Sequence, residues 1–124
     1  MVDFNLTEEQ IMIRDLAREF CEAEVTPHAE EWDRNGTYPR DAITKAHELG
    51  LLNVTIPEEY GGAGMSSVDE MIICEELSRG DPGFGTAAYH TMLASLPILT
   101  GGTEEQKAEY LSLIHISEPT RRTT

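Results

Sequence analysis

Two identical helix-start patterns limit what this chain can fold into. The letters Thr-Glu-Glu-Gln stand at residues 7–10 and again at residues 103–106. In each pattern the threonine hydroxyl can cap a helix, while the glutamine three residues later can reach back to the threonine backbone. No stretch alternates apolar and polar residues as a strand would. The sequence therefore predicts an all-α fold, an up-and-down, bundle-like domain of five or six helices.

The first half of the chain predicts three helices. Behind the first pattern, apolar residues recur at helical spacing at Ile13, Leu16, Ala17 and Phe20. Pro27 is expected to end or kink this helix, and Thr26 to cap a short second helix through Trp32. Asn35-Gly36 predicts a turn. Pro39 suits the first position of a third helix, which contains Ile43, Ala46 and Leu49 and stops at Gly50.

The second half predicts three more helices joined by glycine-rich and proline-rich loops. Residues 51–57 are expected to be irregular, and Gly61, Gly62 and Gly64 to permit positive φ. Ser67 with Glu70 is interpreted as another capping box, opening a helix that buries Val68, Met71, Ile72 and Leu77 and ends at Gly80. An apolar helix after Gly85 is expected to close at Pro97, before a break at Gly101-Gly102.

The charge balance argues against several classes of partner. The chain has 23 acidic and 9 basic residues, a net charge of −14, and such a surface repels a nucleic-acid backbone. No apolar run has the length of a membrane span, and the opening residues lack a secretory pattern. We expect no nucleic-acid or membrane partner and a cytoplasmic location. The four histidines and two cysteines show no metal-ligand spacing, so no metal is expected, and Cys21 and Cys74 are expected to be buried thiols.

One motif resembles a dinucleotide fingerprint and is rejected on context. Residues 83–88, GFGTAA, match G-x-G-x-x-A. That fingerprint requires a preceding buried strand, whereas residues 67–80 have helical periodicity. Turn glycines between two helices explain the motif better.

Several segments together resemble the N-terminal helical domain of acyl-CoA dehydrogenases. They are LTEEQ at residue 6, LGLLNVTIPEEYGGAGMS at residue 49, EELSRGDPG at residue 75 and GTEEQKAEYL at residue 102. Their order and spacing agree with the family from Phe4 to Leu111. The resemblance implies a three-domain flavoenzyme, usually a homotetramer and sometimes a dimer. Its FAD and a glutamate base dehydrogenate acyl-CoA between Cα and Cβ, and electrons pass to electron-transferring flavoprotein.

The resemblance also suggests which residues touch substrate. By position, Gly85, Thr86, Tyr89 and Leu93 are candidate wall residues of the acyl pocket, with ordinary helix packing as the alternative. The family's flavin-contacting motif and catalytic glutamate would both come later than residue 124. We therefore expect no catalytic, flavin-binding or metal-binding residue here, and FAD bound only by a longer parent protein.

The C-terminal residues resemble a laboratory sequence. Residues 112–121, SLIHISEPTR, are what a transposase-end adapter used in DNA library preparation encodes in this frame. We therefore expect a native domain over residues 1–111 and an adapter-derived tail over residues 112–124. A natural flexible tail is the alternative.

Two other functions stay open at this stage. The parent could be a relative with the same fold but different chemistry, such as a flavin monooxygenase or a nitroalkane oxidase. The chain could also be a stand-alone helical interaction module without enzymatic activity.

Overall fold

The computed structural model describes residues 2–117, and these form six α-helices without a β-strand. The helices are α1 (Glu8–Phe20), α2 (Ala29–Asn35), α3 (Arg40–Glu48), α4 (Ser67–Gly80), α5 (Pro82–Gly101) and α6 (Glu104–Ser117). Helix α4 packs against both α1 and α5, and α5 packs against α6. The all-α prediction is confirmed. The predicted tail begins inside α6, and its last seven residues, 118–124, lie outside the described part of the chain.

Both repeated capping boxes form as the sequence predicts. At α1 the Gln10 backbone N–H donates to Thr7 Oγ1 at 3.1 Å, and the Thr7 N–H donates to Gln10 Oε1 at 3.0 Å. At α6, Thr103 and Gln106 make the same reciprocal pair at 3.2 and 3.0 Å. Each box satisfies two helix-end groups with local side chains, so it forms independently of tertiary context.

The predicted capping box of α4 is wrong by one residue. The cap is Ser66, whose hydroxyl accepts from Asp69 N–H at 3.2 Å, while Asp69 Oδ2 accepts from Ser66 N–H at 3.0 Å. Two adjacent serines each have an acid three residues later, so the local pattern could not choose between them.

The predicted apolar face of α4 is confirmed at Leu77 and wrong at Val68 and Met71. Leu77 is buried and Ile72 half-buried, whereas Val68 and Met71 are 58% and 57% exposed. The helix also buries Ile73, which was not predicted. The first turn of α4 contacts α1 through a polar pair instead, in which Gln10 Nε2 donates to Asp69 Oδ1 at 3.1 Å.

The connection between α1 and α2 differs from the predicted break. The chain continues from α1 through a π-helical turn, Cys21–Val25, and a 3₁₀ turn, Thr26–His28. Thr26 is therefore not a helix cap, and α2 runs to Asn35 rather than to Trp32. A Cβ on Gly80 would lie 2.4 Å from Cys21 Sγ, so the wide turn lies against the end of α4.

The boundaries of α3 follow the prediction closely. The helix begins at Arg40, one residue after Pro39, and ends at Glu48. Gly36 and Gly50, with φ of 62° and 75°, occupy the left-handed conformation after α2 and α3. Residues 51–56 are irregular, as expected, and mostly buried.

Helix α5 is longer than predicted at both ends. It starts at Pro82, where the Asp81 carboxylate accepts from Gly83 N–H at 3.0 Å, and it continues through Pro97 to Gly101. Proline at the first helical position costs no hydrogen bond, because that N–H has no helical partner anyway. The prediction that Pro97 closes the helix is wrong.

None of the helices within residues 2–117 combines the length and apolar character needed to cross a bilayer.

The core forms around aromatic contacts between α1, α2 and α5. Phe84 is 1% exposed and lies between Phe20 and Trp32, with ring centroids 6.1 and 5.9 Å away. A second, smaller cluster joins α5 and α6 to the 3₁₀ turn Glu58–Tyr60; its buried members are Ile56, Tyr60, Met92 and Leu111. Tyr60 donates to Glu104 Oε2 at 3.0 Å, and burial raises the pKa of its hydroxyl.

The glycines in the loop at residues 61–64 are needed for two different reasons. Gly61 and Gly64 have positive φ, as predicted, but Gly62 does not. A Cβ on Gly62 would lie only 1.9 Å from the Ile56 carbonyl oxygen. Close backbone approach, and not left-handed conformation, explains the glycine at this position.

Replacing Gly62 by alanine should destabilise the protein by about 1–3 kcal/mol, because the methyl group must displace backbone. Thermal melts followed by circular dichroism would measure this loss. Gly101→Ala is the matched control, since a Cβ there meets no atom within 4 Å. Equal melting temperatures for the two variants would contradict the explanation.

A partly buried ion pair ties α1 to α4. Arg18 donates to both carboxylate oxygens of Glu76, with its Nη2 2.7 Å from Oε1. Glu76 is buried, and the hydrogen bonds from Arg18 hold the pKa of its carboxyl below the ordinary 4.5. Since the folded state favours the ionised carboxylate, the stabilisation is complete above the unfolded pKa and is lost as pH falls through the folded one.

Glu76→Gln should therefore reduce the dependence of Tm on pH below about pH 4.5, where the wild-type carboxylate becomes protonated. Melting curves between neutral pH and pH 3 would show it. Glu30→Gln removes the exposed Arg34 pair on α2 and serves as the control, with the wild-type pH dependence retained. Parallel curves for wild type and Glu76→Gln would contradict the assignment.

Candidate functional site

Helix α5 presents two faces, and the four predicted pocket residues divide between them. Gly85 is buried and Tyr89 half-buried, on the side that packs toward α4. Thr86 is exposed and Leu93 is 58% exposed, on the outer side. The structure therefore brings Gly85 and Tyr89 together and leaves Thr86 and Leu93 on a separate surface.

Gly85 is the point where α4 and α5 come closest. A Cβ at this position would lie 2.0 Å from Ser78 Oγ, 3.0 Å from Ser78 Cβ and 3.2 Å from its Cα. Only a residue without a side chain fits such a contact. Gly85 therefore determines how near the inner face of α5 lies to α4.

The outer face of α5 carries exposed apolar side chains. Leu96 is 54% exposed and lies near Leu93 on the same side of the helix. The Thr86 hydroxyl donates to the Pro82 carbonyl oxygen at 3.0 Å. The hydroxyl is thus turned back to its own helix, and the exposed imidazole of His90 lies between Thr86 and Leu93 on this face.

A small cavity lies between α4, α5 and the irregular segment 51–54. Its volume is about 20 Å³, enough for one water molecule. The lining is mostly apolar, with five polar or sulfur-containing side chains among it, from Asn53, Glu70, Cys74, Tyr89 and Met92. Gly85 and Tyr89 border this cavity, and Thr86 and Leu93 do not.

Polar side chains at the cavity connect the segment after α3 with helices α4 and α5. Thr55 Oγ1 donates to Glu70 Oε2 at 2.8 Å, which links the segment after α3 to α4. The negative charge of Glu70, burial and a hydrogen bond to Glu70 together raise the pKa of Tyr89. Its hydroxyl thus stays protonated at neutral pH and donates to the carboxylate.

Sequence reasoning did not identify Asn53, Thr55 or Glu70 as site residues. A faint indication exists, since Asn53 and Thr55 are the polar residues within the apolar run 51–56. The cysteine prediction holds only in part: Cys21 is buried, but Cys74 is half-buried and borders the cavity.

Most basic side chains in the described part of the chain are engaged by carboxylates: Arg14, Arg18, Arg34, Lys45 and Lys107. Arg40 lies over the ring of Tyr38, and Arg79 borders a surface groove together with Glu75 and Glu76. The GFGTAA motif lies within α5 and follows a helix, which confirms that it is not a strand-bound dinucleotide fingerprint. Over residues 2–117, no group of three or more histidine, cysteine or acidic side chains could hold a metal ion.

Comparison with known proteins identifies the class of this domain. The family described as "Acyl-CoA dehydrogenase, N-terminal domain" matches residues 7–115. The short-chain specific acyl-CoA dehydrogenase of Clostridium acetobutylicum is 42% identical over 112 residues, covering 89% of this chain and 29% of that protein.

Solved structures agree with the sequence comparison. The glutaryl-CoA dehydrogenase in complex with glutaryl-CoA has a TM-score of 0.85 and 33% identity, over 94% of this chain and 31% of the other. An acyl-CoA dehydrogenase from Bacillus anthracis complexed with FAD has a TM-score of 0.80 and 34% identity, over 95% of this chain and 20% of the other.

The chain belongs to the acyl-CoA dehydrogenase family and corresponds to its N-terminal helical domain. It spans between 20% and 30% of the length of the curated relatives considered. The family resemblance recognised in the sequence is confirmed.

Gly85→Ala should destabilise the domain by about 1–3 kcal/mol, because the new methyl group would force α4 and α5 apart. Thr86→Ala, one residue away on the exposed face, is the matched control and should stay within about 0.5 kcal/mol of wild type. Chemical denaturation monitored by circular dichroism would compare them. A Gly85→Ala variant as stable as Thr86→Ala would show that the close contact has no energetic importance.

Proposed function

We propose that this chain is the N-terminal domain of a flavin-dependent acyl-CoA dehydrogenase and that it walls the acyl pocket without performing the chemistry. One observation carries the proposal: the family match over residues 7–115 coincides with helices that align with glutaryl-CoA dehydrogenase at a TM-score of 0.85. The parent protein would remove hydrogens from Cα and Cβ of an acyl-CoA thioester.

The remaining machinery would lie outside these residues. FAD, when bound by the parent, supplies the acceptor for the hydride, and a glutamate beyond this chain would take the α-proton. Electron-transferring flavoprotein as the electron acceptor, and a homotetramer or dimer as the assembly, are proposed from the family resemblance.

The contribution of this chain would be a surface that excludes water from the acyl group. Leu93 and Leu96 offer exposed carbon surface on α5. Burying that surface against an acyl chain and a neighbouring domain is favourable, by about 25 cal/mol for each Å² removed from water. Thr86, Tyr89 and Leu93 would contact substrate, whereas Gly85 would act by holding α5 close to α4.

The exposed apolar side chains argue against a stand-alone interaction module. Tyr110 of α6 is 49% exposed, and Leu93 and Leu96 are exposed as well. Apolar patches of this kind usually mark a surface that another domain covers. The similar proteins are acyl-CoA dehydrogenases, which favours acyl-CoA dehydrogenation over a monooxygenase or nitroalkane oxidase reaction.

A chimeric enzyme tests the proposed function. Residues 1–111 would replace the corresponding part of the short-chain specific enzyme of Clostridium acetobutylicum. The chimera should bind flavin and oxidise a short-chain acyl-CoA, while the present chain alone should show neither property. A folded chimera that binds flavin but lacks activity would contradict the proposed role.

Leu93→Asp in that chimera should raise KM about tenfold or more, equivalent to about 1.4 kcal/mol, because a charge would face the acyl chain. Leu49→Asp is the control, since Leu49 is also exposed but lies beyond the end of α3. Equal KM values for the two variants would exclude Leu93 from the pocket wall.

We also propose that residues 112–124 derive from adapter sequence rather than from the natural gene. The support is the agreement with encoded adapter over residues 112–121. Independent sequencing across codon 111 should show a different continuation there. Finding these same codons in the chromosome would refute the proposal.

A further inference from the structure

The segment between α3 and α4 buries one amide side chain with an unsatisfied acceptor. Asn53 is 5% exposed, and its Oδ1 has no hydrogen-bond partner within the described protein. Its φ is 57°, in the left-handed region that asparagine tolerates better than most residues. The side chain is thus placed inside the protein by an unusual backbone conformation.

A buried acceptor without a partner is costly. Leaving such a group unsatisfied costs about 1–3 kcal/mol, so native proteins nearly always supply a protein group or an ordered water molecule. Asn53 borders the 20 Å³ cavity beside α4 and α5. The cavity beside Asn53 is therefore large enough for one water molecule, which would supply the missing hydrogen-bond donor.

The neighbouring groups restrict what that donor can be. Glu70 borders the same cavity and accepts a hydrogen from Thr55. Tyr89 borders the cavity as well, and the negative charge of Glu70 raises the pKa of its hydroxyl. With Asn53 Oδ1 and the Glu70 carboxylate both acceptors, an occupant needs two hydrogens to donate and must fit a single-water volume.

We propose that this cavity is a binding site for one ordered water molecule, which donates to Asn53 Oδ1 and to the Glu70 carboxylate. The water links the irregular segment after α3 to α4, parallel to the direct Thr55–Glu70 hydrogen bond. The site borders Gly85 and Tyr89, which also belong to the proposed acyl wall, whereas Thr86 and Leu93 do not line it. Its tests measure bound water and not enzymatic activity.

Magnetic resonance on the present chain tests the proposal. Cross-peaks should connect water with the methyl protons of Val54 and Ala88, both of which border the cavity. Their signs should be opposite in laboratory-frame and rotating-frame spectra, as expected for water that stays bound longer than the protein tumbles. Absence of these cross-peaks in the wild-type chain would overturn the proposal.

Two variants then test the role of Asn53. Asn53→Gly tolerates the positive φ but removes the acceptor, and the water cross-peaks should disappear. Ser95→Ala is the matched control, because Ser95 is fully buried and donates to the Thr91 carbonyl at 2.8 Å, away from this cavity. Cross-peaks that persist in Asn53→Gly, or vanish in Ser95→Ala, would contradict Asn53 as the anchor.

An ammonium ion has the same donor chemistry and must be distinguished from water. Spectra recorded in ammonium-free buffer should retain the cross-peaks, and added ¹⁵N-ammonium should show no bound resonance. Cross-peaks that depend on ammonium would show that the site binds this cation and not water. A crystal structure of the chain should show the density of a water molecule at hydrogen-bond distance from Asn53 Oδ1. If the Asn53 amide were instead flipped, with its nitrogen in the place of Oδ1 and bonded to a protein acceptor, the proposal would be overturned.

Discussion

The close contact of α4 with α5 at Gly85 determines most of what surrounds it. Because Ser78 occupies the space where any Cβ at residue 85 would lie, the two helices approach nearly to backbone contact. The same side of α5 carries Tyr89 beside Glu70 and borders the cavity at Asn53. Because Gly85 faces α4, helical geometry turns Thr86 and Leu93 outward.

Interactions within four residues were predictable from the sequence. The capping boxes at Thr7 and Thr103 form because all their partners lie within one helical turn. The left-handed glycines after α2 and α3 are equally local. Where two local solutions had equal merit, as at Ser66 and Ser67, the sequence pattern selected the wrong one.

Tertiary packing decided the features that were predicted wrongly. The positions at which α1 and α5 cross α4 decide which of its residues are buried. The sequence pattern predicted Val68 and Met71 in the core, but both are exposed. Likewise α1 ends at Phe20, well before Pro27, and a π-helical and a 3₁₀ turn connect it to α2 past the end of α4. Neither effect has a local sequence pattern. The site shows the same limit: Thr55 and Glu70 are fifteen positions apart, and only the fold brings them together.

The proline inside α5 has a mechanical consequence for the outer surface of that helix. Pro97 has no amide hydrogen, so the carbonyl of Leu93 receives none from the residue four positions later. The turn that carries Leu93 therefore lacks one backbone hydrogen bond that a regular helix would have. Bending α5 at this turn meets one hydrogen bond less, whereas at Gly85 the path of the helix is restricted by its contact with Ser78.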